Sequence, residues 1–169
     1  ETMFEAGYWD FRRMMKDEDL ALVNTTDRFR SMVRAAWSKQ YIGMLERDTR
    51  DAMQHPHEIM QRLGIRPGDV VADVGAGSGY FTVPVARAVG AEGRVLATDI
   101  RQEMLDYIGN RLTEEGITNV ELVKVEPDDP GLPVGTVDVV LMVDVMHYVK
   151  DRAAYGRKLR SSLSDDGRL

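Results

Sequence analysis

Asp73 stands two residues ahead of three alternating glycines, Gly75, Gly77 and Gly79. Alternating glycines let backbone approach a ligand with no Cβ in the way. A carboxylate at the end of a buried strand is costly to hide, so Asp73 is best explained by something polar or cationic that it serves. About twenty residues beyond Gly79 comes Asp99, and a carboxylate at that distance can accept both hydroxyls of a ribose. The apolar run Val95-Leu96-Ala97 aims it at a cleft. The dinucleotide fingerprint G-x-G-x-x-G is not met, because its third glycine would fall on Tyr80. His55, His57 and Glu58 hint at a metal. Ligands on one helical face need three or four residues between them, so capping or solvent-exposed histidines are the better reading and no metal is expected.

These groups need a frame. Residues 70–74 read as a short buried strand running into the glycine turn, and 80–87 as a helix whose N–H groups and positive dipole end face that turn. Further strands are expected at 94–98, 119–125 and 137–143, with helices at 102–115 and 151–163. The last strand is apolar throughout, as for a strand covered on both faces. Alternating strands and helices give a Rossmann-like, doubly wound parallel α/β sheet, with ligands at the carboxyl ends of the strands. Ahead of it, 27–45 carries Phe29, Met32, Val33, Ala36, Trp37, Tyr41, Met44 and Leu45 at helical spacing. That stripe either docks on the main body or covers a pocket. Tyr8, Trp9, Phe11, Met14, Met15, Leu20 and Leu22 are apolar anchors for short helices before it. Residues 47–53 read as a charged connector, and 55–64 as a helix with Pro56 in its first turn and Gly64 at its cap. A helical extension over 1–54 and a sheet domain over 55–169 result.

With its acid, turn and following helix, D-x-G-x-G-x-G resembles motif I of the class I S-adenosylmethionine-dependent methyltransferases. The resemblance covers about residues 56–169. It implies that Gly75, Ala76, Gly77, Gly79 and Tyr80 cradle the amino acid end of S-adenosylmethionine (S-adenosylhomocysteine as product), with Asp73 orienting the turn and the amino group. It further implies that Asp99 binds the adenosyl ribose, Ile100 lies on the adenine face and Glu126 accepts from the adenine amino group. Pro127 departs from the pattern, since it has no N–H for the ring; either Asp128 or Asp129 donates instead, or that donor is absent. The segment holding Asp144 passes under the sulfonium and lines the acceptor pocket. Asp144 or His147 could take a proton from the nucleophile, a contribution of about 10²–10⁴-fold. His147 reads equally well as a packed structural residue.

The implied activity is methyl transfer to a small-molecule acceptor. Two rivals are an NAD-type oxidoreductase, disfavoured by Tyr80 and Asp73, and a non-catalytic cofactor-binding or interaction module. The net charge of −6 argues against nucleic acid as the main partner. There is no cysteine, and no apolar run long enough to span a membrane. A cytoplasmic protein is expected, although a removed signal peptide would leave no trace in this sequence. Only 167–169 read as the start of a fifth strand, so the apolar 137–143 segment is expected to have a bare edge. Such an edge invites self-association, or covering by C-terminal strands missing from this chain.

Overall fold

The computed structural model describes residues 18–23 and 25–169, which divide into two compact units, Glu1–Met44 and Leu45–Leu169. Tyr8, Trp9, Phe11, Met14 and Met15 lie outside the described residues. In the first unit a 3-10 turn, Glu18–Leu20, precedes helix α1, Asp27–Leu45, which continues one residue into the second unit. The Thr26 hydroxyl accepts the Phe29 N–H at the start of α1, the usual way of satisfying an orphan amide. Val33 is buried among Leu20, Phe29, Ala36 and Trp37, and the Trp37 and Tyr41 rings stack at 4.8 Å. Leu22, expected as an anchor, is 91% exposed.

The second unit is built on a parallel five-stranded sheet in the order β3-β2-β1-β4-β5. The strands are β1 Val70–Val74, β2 Arg94–Asp99, β3 Val120–Lys124, β4 Val137–Leu141 and β5 Leu163–Arg168. Helices α2 (Arg50–Gln54) and α3 (Pro56–Leu63) precede β1. Then α4 (Thr82–Val89) and α5 (Gln102–Glu114) make the crossovers β1 to β2 and β2 to β3, and α6 (Arg152–Ser162) links β4 to β5. Alternation along the strands sorts the core into two layers. Val71, Val95, Val139 and Leu141 pack under Val85, Ala86 and Val89 of α4, with Ile59, Met60 and Leu63 of α3 at their margin. Ala72, Val74, Leu96 and Val140 pack on Tyr155 and Leu159 of α6. Each fully buried valine or leucine contributes about 1.5–3 kcal/mol, so both layers hold the sheet between its helices. By the same alternation Asp73 shares a face with Val71, looking toward α4 rather than α6.

Several expectations are corrected. The helix after the glycine turn begins at Thr82, because residues 77–81 are still turning. The 47–53 connector contains α2, which starts at Arg50. Strand β4 ends at Leu141, and Met142 and Val143 leave the sheet. The expected bare edge is absent, since β5 pairs with β4 through Val137↔Leu163 and Val139↔Arg168. Two residues of β4 face five-residue spacing in β5, so Ser164-Asp165-Asp166-Gly167 bulges out of register. The bulge accommodates residues of poor strand propensity. Among the described residues, no helix is long and apolar enough to cross a membrane.

Candidate active site

The strand order reverses between β1 and β4, so the cleft outside their carboxyl ends is where an open α/β sheet places a ligand. Asp73 and the glycine turn end β1, Asp99 ends β2, and Asp144 follows β4.

Two backbone constraints shape the turn. A Cβ on Gly75 would lie 2.4 Å from Val145 Cγ2, so only glycine lets the segment after β4 press against the turn. Gly77 has φ +58, and a Cβ there would meet only the tip of Leu45, at 3.1 Å. Several of the turn's amides have acceptors within the protein. Gly75 and Ala76 N–H both donate to the Thr98 carbonyl, Gly79 N–H donates to the Ala76 carbonyl, and Gly77 N–H donates to Asp99 Oδ2 at 3.0 Å. Four of the turn's amides are thus committed within the protein. Asp99 Oδ1 accepts the Arg101 N–H at 2.9 Å, with the Arg101 guanidinium 3.8 Å away.

Asp73 is buried and accepts the Thr82 hydroxyl at 2.6 Å. Burial pushes its carboxyl up to about 6; Thr82 opposes that shift, Asp99 adds to it, and Arg50 draws it down. This poises Asp73 between its charged and neutral forms, as carboxyls at functional sites often are.

Residues 45–55 form a strap at the glycine turn. Arg50 places its guanidinium carbon 4.0 Å over the Tyr80 ring and donates to the Leu45 carbonyl at 2.7 Å. Tyr80 donates its hydroxyl to Asp51. Burial first, and then Asp51, push the Tyr80 hydroxyl up to about 12, so it remains a donor at physiological pH. Gln54 Nε2 donates to Asp144 Oδ2 at 2.9 Å. Asp144 (φ 56) and His55 (φ 46) are the non-glycine residues with left-handed backbone among those described. Such conformations cost on the order of 1 kcal/mol or more and concentrate at functional sites. One belongs to the bonded pair Gln54–Asp144 and the other directly follows it.

Asp73, Gly75, Gly77, Asp99 and Asp144 are thus brought to one end of the sheet. His147 is exposed in the 3-10 turn Met146–Tyr148, with its ring 3.9 Å from Tyr148. Ile100 is 49% exposed beside Asp99. Glu126 is exposed after β3, and Asp129 is drawn into structure: its carboxylate accepts from Gly131 N–H and Lys158, which hold its pKa down. The contributions of Arg50, Asp51 and Gln54 were not anticipated from sequence. A cleft of about 520 Å³ between α5 and β3 contains none of the candidate residues. Among the described residues no cluster of metal-ligating side chains occurs.

A family model described as a methyltransferase domain matches residues 72–169, more than half of the chain. The chain belongs to the class I S-adenosylmethionine-dependent methyltransferases. Within that family it is 32% identical over 114 residues to a ubiquinone/menaquinone biosynthesis C-methyltransferase, UbiE, of Marinomonas sp. (strain MWYL1), covering 67% of this chain and 45% of that protein. It is 28% identical over 102 residues to the aklanonic acid methyltransferase DauC of Streptomyces sp. (strain C5), covering 60% and 46%. The crystal structure of a SAM-dependent methyltransferase from Aquifex aeolicus superimposes with a TM-score of 0.68 at 28% identity, over 73% of this chain and 65% of that one. This methyltransferase-family chain spans about half the length of the curated relatives it matches.

Proposed function

We propose that the chain binds S-adenosylmethionine across its glycine turn and serves transfer of the methyl group to a small-molecule acceptor. The hydrogen bond from Gly77 N–H to Asp99 carries this reading, because it fixes the turn of β1 and the acid of β2 as one surface. The residues fit such a ligand. Outside Gly77 there is only a flexible leucine tip. The Ser78 and Thr98 hydroxyls are buried without a partner among the described residues, which is costly in a site with no polar ligand. Asp73 supplies an anion for an ammonium group, and Asp99 keeps lone pairs for ribose hydroxyls. Ile100 offers an apolar surface to adenine, and Glu126 an acceptor for its amino group. Since the Asp129 N–H is given to the Glu126 carbonyl, Asp128 is left as the donor that replaces Pro127.

When bound, the cofactor supplies a sulfonium methyl group as electrophile. The chain's task is alignment, which is worth about 7–11 kcal/mol in well-oriented systems. Gln54 fixes the Asp144 carboxylate, and Asp144 or His147 would take the proton leaving the acceptor. The names of the two relatives above, one from ubiquinone/menaquinone biosynthesis and one an aklanonic acid methyltransferase, support a small organic acceptor, and the net charge of −6 fits one better than nucleic acid. We place the protein in the cytoplasm.

Calorimetric titration with S-adenosylhomocysteine and with NAD, followed by a radiolabelled methyl-transfer assay over a panel of small organic acceptors, tests the reading. Binding of the first ligand alone is expected. Binding of NAD, or of neither ligand, would overturn it.

A further inference from the structure

Resting on this reading, we propose that Arg50 recognises the carboxylate of the cofactor's amino acid end, so that the strap over 45–55 supplies a ligand contact that the glycine turn does not. The amino acid end carries an ammonium and a carboxylate. Asp73 serves the first. For the second, the N–H groups of Gly75, Ala76, Gly77 and Gly79 are already given to acceptors within the protein, and the turn brings no cationic side chain of its own.

Arg50 is a half-buried guanidinium at this place. It lies 4.0 Å over the Tyr80 ring and 6.0 Å from that of Phe81. It takes part in none of the ion pairs found among the described residues. Neighbouring arginines are committed: Arg87 to Glu115, Arg111 to Glu115 and Glu46, and Arg101 to Asp99. The adjacent Asp51 is engaged by the Tyr80 hydroxyl. A partly desolvated cation with no ion-pairing carboxylate among the described residues is an unusual arrangement. Its charge already reaches Asp73, lowering that carboxyl's proton affinity. Of five guanidinium N–H donors, one is used on Leu45, and the planar fork matches a carboxylate in bidentate fashion. The Asp51–Tyr80 and Gln54–Asp144 bonds hold the strap where Arg50 can act.

The test compares S-adenosylmethionine with its decarboxylated analogue, which keeps the ammonium and loses only the carboxylate. Binding of both is measured by calorimetry to the wild-type chain, Arg50→Met and Arg50→Lys. Arg50→Met should weaken S-adenosylmethionine about 10- to 100-fold, as for hydrogen bonds to a charged group, while leaving the analogue within a factor of about 3. Arg50→Lys, which retains charge without the fork, should fall between. Equal losses for both ligands would make Arg50 merely structural, and undiminished discrimination would remove it from the site. If Arg50→Met does not fold, the same two outcomes are read from Arg50→Lys. A wild-type chain that binds neither ligand would instead overturn the cofactor reading itself.

Discussion

Replacing Asp73 with asparagine should stabilise the ligand-free protein while abolishing cofactor binding. Burial raises the Asp73 carboxyl from 3.8 to about 6. In the window between those values the folded protein holds a proton that the unfolded chain has released, so stability falls as pH rises through it. Above about pH 6 the full penalty applies, about 3 kcal/mol at 1.36 kcal/mol per unit. Well below pH 3.8 both states are protonated and the penalty is gone. Asparagine cannot ionise, yet its carbonyl can still accept the Thr82 hydroxyl that now bonds Asp73 at 2.6 Å. Asp73→Asn should therefore melt higher than wild type at pH 8, by up to about 10 °C for a chain of this size. The gap should narrow toward pH 4. Thermal melts followed by circular dichroism across that range, without ligand, measure both. A variant no more stable than wild type at pH 8, or a gap independent of pH, would refute the claim that a buried, reluctantly charged carboxylate sits at the end of β1.

Asp99→Ala should weaken S-adenosylmethionine and S-adenosylhomocysteine by about 1–3 kcal/mol in calorimetry, with part of the loss arising because the Gly77 amide loses its acceptor; unchanged affinity would remove Asp99 from the site. Gly77→Val should abolish binding while the helical circular-dichroism signal persists; both it and Gly75→Val carry positive-φ strain, but Gly75→Val should lower the melting temperature more, through its additional 2.4 Å clash with Val145. Equal stability of the two variants would contradict that division.

The glycine turn and its two acids were legible because their chemistry is local: Asp73, Gly75, Gly77 and Asp99 are specified by spacing alone. The strap was not. Residues 50–54 are too few to display a helical period, and isolated helices of that length do not form. Helix α2 is held by distant partners such as Tyr80 and Asp144 that sequence spacing cannot pair. Strand β5 was hidden for the opposite reason. Asp165-Asp166-Gly167 is a strong turn signal, and it describes the bulge truthfully while masking the pairing of Leu163 and Arg168 on either side. Asp144 was found as a strand-end acid, but nothing in its neighbours foretold a left-handed backbone there.

Arg168 joins β5 to the opposite end of the second unit: its Nε donates to the Leu63 carbonyl and its second guanidinium nitrogen to that of Gly64, both at 2.6 Å. Those are carbonyls at the carboxyl end of α3, which an arginine is well suited to cap. The residues stand 105 and 104 positions apart. At about 5–20 residues per second, a ribosome makes Arg168 roughly 5–20 s after Leu63. During synthesis α3 therefore waits with only its own Gly64 cap at that end, long after β1 has emerged. The strap joined to its first turn waits with it, so the ligand-facing edge of the sheet is the part of this unit fixed late in the life of the nascent chain.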